Sequence, residues 1–127
     1  MDSIPQELKY SKDHEWVRLE NDKAFVGITD HAQSELGEIV FVELPPIGER
    51  FNKDEEISTV ESVKAASAII NPIEGVVVEV NEDLDGSPEL VNTDCYKNYL
   101  YALESFSRSD YDELLNATDY GAYLESL

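Results

Sequence analysis

Apolar residues recur at every second position in HEWVRLE (14–20), with Val17 and Leu19 on one side and Trp16 and Arg18 on the other. A period of two is that of a strand with one face buried. Asn21-Asp22 marks a turn, and AFVGI (24–28) reads as the returning strand. The period then lengthens. Ala32 and Leu36 stand four apart, Asp30 precedes Gln33 by three residues as in a capping box, and Gly37 follows; together they predict a short helix. IVFVEL (39–44) is nearly unbroken in apolar residues, which predicts a strand covered on both faces, ended by Pro45-Pro46 and Gly48. From Glu55 to Val80 short apolar runs alternate with turn residues. EEISTV leads up to Lys64, AASAII leads away from it, Pro72 and Gly75 turn the chain, and VVVEV follows. Asp85-Gly86-Ser87-Pro88 reads as a loop and YLYAL (99–103) as a last strand.

The C-terminal stretch changes character. A helical segment over about 109–126 begins at Ser109, with Tyr111, Leu114 and Leu115 on one face. Thr118 caps a second piece carrying Tyr120, Tyr123, Leu124 and Leu127. These tyrosines and leucines predict a helical lid packed on the sheet. Many short strands, one short internal helix and a C-terminal helical appendage predict a mostly β fold, a small sandwich or barrel. Its core is expected over about 8–104, within one domain spanning residues 1–127.

Composition narrows the function. The chain carries 9 Lys and Arg against 28 Asp and Glu, a net charge of −19. Such a surface repels phosphate backbones and anionic lipid, which argues against nucleic-acid and membrane partners and favours partners with basic docking faces. A single cysteine, Cys95, rules out an internal disulfide and a thiolate metal cluster. The opening MDSIPQELKY has neither the apolar core of a signal peptide nor the arginines of a transit peptide. No apolar run is long enough to cross a bilayer. A soluble, cytoplasmic, acidic protein is expected.

The sequence offers no catalytic constellation. His14 and His31 lie apart, neither with a second ligand at metal spacing, and read as satisfied or solvated side chains. Cys95 has no local base. Asp54-Glu55-Glu56 and Glu82-Asp83-Asp85 lack the alternation and closing glutamate of a calcium loop, and read as solvated charge. There is no glycine-rich phosphate loop, serine elbow or Cys-x-x-Cys. Neither catalytic residues nor a metal site is expected. Lys64 is the residue out of place. It is the sole basic residue from Asp54 to Tyr96, a stretch holding eleven Asp and Glu, and Val63 and Ala65 flank it. A strand, tight turn and second strand would hold its amine at a hairpin tip, with Ala65, Ala66 and Ser67 leaving the approach open. Such a lysine is either a plain surface charge or a substrate for modification, and on spacing alone the surface charge is the commoner case.

Five segments decide between them: LKYSKDHEWVRLE (8–20), VGITDHAQSELGEIVFVELPPIG (26–48), VESVKAAS (60–67), GVVVEVNEDL (75–84) and SPELVN (87–92). In this order and spacing the chain resembles the H-protein family of the glycine cleavage system, over almost its whole length and more loosely after Asn92. The resemblance implies a lipoyl-type barrel-sandwich hybrid with lipoate, the cofactor, attached to Lys64. Glu61, Ser62, Val63 and Ala65 complete the lipoylation motif, and flanking residues other than methionine favour lipoate over biotin. It implies a non-catalytic, monomeric carrier that takes an aminomethyl group from glycine decarboxylase, a pyridoxal-phosphate enzyme. A tetrahydrofolate-dependent aminomethyltransferase accepts that group, and dihydrolipoyl dehydrogenase reoxidises the arm. A lipoate-attaching enzyme is the fourth partner. Glu15, in the matched HEW, is implied to help hold the loaded arm in a surface cleft.

The match departs from the family pattern twice. Ala68 stands where an acidic residue is usual, and Asp94-Cys95-Tyr96-Lys97-Asn98-Tyr99 replaces a proline- and glycine-bearing run one residue longer. Losing the glycines changes the turns open to that stretch. These departures motivate an alternative, an H-like donor that relays lipoate to other lipoyl enzymes with little glycine cleavage. A second alternative is an unmodified acidic scaffold in which Lys64 is silent.

Overall fold

The computed structural model describes residues 3–127. Its strands are β1 (Lys9–Tyr10), β2 (Glu15–Glu20), β3 (Lys23–Ile28), β4 (Ile39–Glu43), β5 (Arg50–Phe51), β6 (Glu56–Ser62), β7 (Ala66–Ile70), β8 (Gly75–Val80) and β9 (Tyr101–Glu104). Its helices are α1 (Asp30–Leu36), α2 (Asp83–Gly86), α3 (Leu90–Thr93), α4 (Arg108–Asp112) and α5 (Ala117–Glu125). Six strands form one sheet in the order β1-β2-β3-β9-β8-β5, and three form another in the order β4-β6-β7. None of the helices is long and apolar enough to cross a membrane.

The β2–β3 hairpin sets the frame. Asn21 and Asp22 take φ of 52° and 65°, the left-handed pair a tight hairpin turn requires. With Glu20 opposite Lys23, the register runs without a slip to Glu15 opposite Ile28. Alternation then distributes the side chains. Val17, Ala24, Val26 and Ile28 face a core shared with Val60 and Ile69 of the small sheet. Trp16 and Phe25 face the other way, into a second cluster with Tyr10, Ala117 and Tyr120. Consequently β3 is buried from Ala24 to Ile28, on both faces. The lid expected of the C-terminal segment is present. Tyr120 of α5 stacks on Tyr10 with centroids 4.6 Å apart and planes within 6°. Leu115 adds a two-bond backbone bridge to Tyr10, each bond 2.8 Å. A buried aromatic of this size removes roughly 150–250 Å² from water, on the order of 4–6 kcal/mol before opposing terms. Aromatic burial therefore dominates the attachment of the lid.

Several elements differ from the pattern-based reading. IVFVEL is covered on one face only: Val40 and Phe41 are each 48% exposed. A register shift between Ile39 and Phe41 turns two successive side chains outward, on the edge strand of the small sheet. There are three internal helices rather than one, since the stretch around Asp85–Pro88 winds into α2 and α3 with Leu84 and Val91 buried as anchors. The N-caps also shift, because the side-chain oxygens that meet the free amides lie elsewhere. Thr29 accepts from Ala32 at α1, Ser107 from Asp110 at α4 and Asn116 from Asp119 at α5. Asp30 and Thr118 stand just inside the helices they were expected to cap, and Ser109 stands one residue inside the helix it was expected to begin. The last strand begins at Tyr101 rather than Tyr99.

One interior residue is acidic. Glu15 shares the Val17 side of β2 and is 2% exposed. The Ser11 hydroxyl donates to its carboxyl at 2.6 Å and accepts the Glu15 N–H at 3.1 Å. Burial pushes this carboxyl up to about 8, with Asp13 and Asp54 adding to the effect, against the lowering influence of Ser11 and the Ile70 N–H.

Two measurements test this account. Gly27 lies opposite Trp16, and a methyl group there would stand 2.5 Å from the indole Cζ2. Gly27→Ala is expected to lose about 1–3 kcal/mol in urea unfolding, because the indole is fully enclosed and overpacking displaces it. A loss below 0.5 kcal/mol, within the usual range of a surface substitution, would contradict the packing described. For Glu15 the folded carboxyl titrates near 8 and the unfolded one near 4.5, so between these values the folded state binds more protons. This residue's contribution is fully present below about pH 4.5, declines as pH rises toward about 8, and is level above it. Glu15→Gln is expected to remove that slope, making the variant progressively more stable than the parent between pH 5 and pH 8, by on the order of a few kcal/mol. Parallel pH profiles would sink the assignment.

Candidate modification site and the cleft beside it

β6 and β7 are joined by Val63, Lys64 and Ala65, and the ladder ends at Glu61 opposite Ala66. None of these three residues takes a positive φ, which suits a turn built without glycine. Ser62 closes it. Its N–H donates to the Ala65 carbonyl at 2.8 Å, and its hydroxyl oxygen accepts from the Lys64 and Ala65 amides at 3.1 and 3.2 Å. The Val63 N–H reaches across to the Glu38 carbonyl at 3.0 Å, tying the tip to the connection between α1 and β4. Val63, 64% exposed, projects into solvent, and Lys64, Ala65 and Ala66 are exposed with it. A side chain at position 64 is thus displayed on fixed backbone with small neighbours on its far side.

The lysine does not extend freely. Its amine donates to the Glu35 carbonyl near the end of α1 at 3.2 Å. Its aliphatic chain crosses Gly37, where a methyl group would stand 2.9 Å from Cε. Beyond this contact lies a cleft of roughly 290 Å³. Ile28, Ala32, Leu36, Ala68 and Ile69 give it an apolar body, and Asp13, His14, His31 and Glu35 give it a polar margin.

The two histidines that stand apart in sequence meet here, their ring centroids 4.5 Å apart. His14 Nδ1 lies 2.8 Å from the Tyr120 hydroxyl, which in turn lies 2.8 Å from Thr29 Oγ1, so the lid reaches the cleft's margin. His31 Nε2 sits 3.6 Å from Glu35. Pattern reading missed this cluster. The hairpin register carries the signal: with Glu15 opposite Ile28, His14 falls beside the start of α1, where His31 lies one step along. Among the described residues no group of three or more His, Cys, Asp or Glu is arranged to hold a metal ion.

Glu15 is not among the cleft's lining residues. Alternation along β2 buries it with Val17, leaving Asp13 and His14 at the cleft. Ala68 does line the cleft, presenting a methyl group. The second departure is accommodated locally. Asp94 Oδ1 accepts from the Tyr96 and Lys97 amides at 3.2 and 3.1 Å, and residues 94–99 include no positive φ. The Cys95 carbonyl accepts from the Trp16 indole at 3.0 Å, while its thiol is buried, unpaired and pushed up to about 12 by desolvation. That environment makes an inert thiol.

The comparisons with known proteins agree with this geometry. Residues 8–127 match the family model described as glycine cleavage H-protein. A glycine cleavage system H protein of Halalkalibacterium halodurans is 51% identical over 121 residues, 94% of either chain. One of Bacillus subtilis is 52% identical over 119 residues, 93% of this chain and 94% of its own. The crystal structure of a glycine cleavage system H protein from Mycobacterium marinum superposes with a TM-score of 0.86 at 35% identity, covering 98% of this chain and 100% of that one. A family whose members carry their chemistry on a bound cofactor needs no catalytic set of side chains. With two sheets in the family's arrangement and a matched stretch reaching from Leu8 to Leu127, the chain belongs to the glycine cleavage H-protein family, the lipoyl carriers of that system rather than its catalysts.

Proposed function

We propose that Lys64 is the lysine on which this carrier bears lipoate, and that the cleft between α1 and β7 shelters the arm. The observation that carries the assignment is the presentation of Lys64. It sits in the middle of a three-residue connection, with backbone held by Ser62 and Glu38 and small exposed residues after it. An attaching enzyme must reach the amine without unfolding its support, and this turn permits that. Glu61, Ser62, Val63 and Ala65 shape the recognised hairpin.

The residues present suit the group. Acylation removes the lysine's charge, leaving an arm that is apolar along most of its length, and the cleft's apolar body matches it. Lipoate supplies redox and group-carrying chemistry when bound, and the protein supplies presentation and shelter. Asp13 and Glu35 put carboxylates at the margin, where a cationic end would be favoured. Glu15 acts indirectly in this reading, by fixing the Ser11–His14 turn that places Asp13 and His14 at the cleft. A tethered arm meets each partner enzyme at a raised effective concentration, and an acidic surface speeds encounters with basic docking faces. A cytoplasmic, reducing setting suits a chain whose one thiol is buried and unpaired.

Intact mass after incubation with lipoate, ATP and a lipoate-attaching enzyme tests the assignment. The parent is expected to gain one lipoyl group and Lys64→Ala none. A gain in Lys64→Ala would move the attachment elsewhere. No gain in the parent would leave the silent acidic scaffold.

A further inference from the structure

α1 ends in a way that concerns Lys64. Gly37 takes φ +78° and returns its N–H to the Gln33 carbonyl at 2.9 Å. Its own carbonyl accepts from Asn92 Nδ2 at 2.9 Å, and the same amide nitrogen donates to Gln33 Oε1 at 2.9 Å. Asn92 Oδ1 accepts the Ile39 N–H, also at 2.9 Å. One side chain from α3 therefore clamps the end of α1, the turn at Gly37 and the start of β4. Glu38, between the clamped residues, receives the backbone bond from Val63. The hairpin tip and the end of α1 are thus registered against each other through two fixed points. Across the gap lies the Lys64 side chain, its amine on the Glu35 carbonyl and its Cε against the bare face of Gly37.

We infer that the end of α1 is a seat for the Lys64 side chain, with Gly37 as its contact face, the Glu35 carbonyl as its acceptor and Asn92 as its brace. The seat fixes the direction in which the modified lysine leaves the hairpin, along α1 and toward the cleft that Glu35 and Leu36 help to line. It serves both states of the lysine. The unmodified ammonium is a cation at a helix C-terminus, where the free carbonyls carry partial negative charge. The acylated nitrogen keeps one hydrogen and can give it to the same carbonyl. Gly37, Glu35 and Asn92 are positioning residues: they set the lysine's path and take no part in chemistry. The inference rests on Lys64 as the attachment point, but its test does not require lipoate.

A substitution at Gly37 separates contact from strain. The far end of a lysine is flexible, so a methyl group at Gly37 would displace the lysine and leave the backbone in place. The positive φ imposes a separate strain on any other residue. Gly48 supplies the control, with φ +93° and nothing within 4 Å of an added methyl group. Gly48→Ala therefore imposes the strain without touching Lys64.

The experiment follows exchange with water of the hydrogen on Nζ. The full chain carries ¹⁵N-labelled N6-acetyllysine at position 64, whose Nζ–H is that of the lipoyl amide, and the enzymatically lipoylated chain is measured beside it. A hydrogen bond to Glu35 is expected to slow exchange about five- to tenfold relative to the same acyl-lysine in a 60–67 peptide. Gly48→Ala should keep that protection. Gly37→Ala, and Asn92→Asp with its two donated bonds removed, should fall to the peptide rate while their far-ultraviolet spectra stay folded. Peptide-like exchange in the parent would overturn the seat with no variant required. Protection retained in Gly37→Ala, or lost equally in Gly48→Ala, would overturn it as well. Failure to lipoylate, read separately by intact mass, would sink the attachment assignment and leave the acetyl measurement standing.

Discussion

The bond from the Val63 amide to the Glu38 carbonyl joins two parts of the chain that the site needs at a fixed separation. Without it the β6–β7 tip would be an ordinary exposed hairpin end, free to fray as such ends do. With it the tip is anchored to a connection that Asn92 already holds against α1. Lys64 then emerges from backbone fixed on both sides, one residue beyond an anchor. A carrier has to combine a mobile arm with an immobile root, since motion at the root would spread the arm's end over volume no partner samples. With lipoate on Lys64, as proposed, the backbone anchors would provide the root, and the flexible bonds of the lysine and its lipoyl group the reach.

An arm at Lys64, as proposed, would also require a place to rest that costs little to leave. The cleft is mixed in character, with five apolar residues, Ser67 and a charged or imidazole margin. A wholly apolar pocket would hold such an arm more firmly than a carrier needs. The lid contributes at the edge, since Tyr120 touches both His14 and Thr29 while stacking on Tyr10. Aromatic packing on the outer face of the large sheet is thereby coupled to the position of residues lining the cleft.

Much of this was legible in the chain, for physical reasons that differ by element. The β2–β3 hairpin was readable because burial on one face forces a period of two and the Asn-Asp turn fixes the register. The proposal for Lys64 draws on its flanking motif and the ordered segments around it, which resemble a known family; its isolation among carboxylates alone would not have distinguished it. The double exposure of Val40 and Phe41 was not readable, because a bulge changes facing without changing composition. The caps at Ser107 and Asn116 lay within reach but competed with equally good capping residues two positions along. Asn92 ended a matched segment, yet nothing local shows that its amide reaches Gly37 and Ile39, more than fifty residues away.

Glu15 shows most clearly how a pattern and a resemblance can pull apart. Resemblance placed it at the arm's cleft, while the alternation that predicts β2 puts it with Val17 and Leu19, facing inward. The alternation governs, because a one-residue change of facing would expose Val17 and bury Arg18, a larger cost than enclosing one carboxyl that can hold its proton. Once inside, the carboxyl serves the turn before it by bonding Ser11. The same turn sets His14 at φ 69° and opens Asp13 and His14 toward the cleft. A buried acid next in sequence to His14 at the cleft's margin therefore shapes that margin through backbone geometry rather than by lining it.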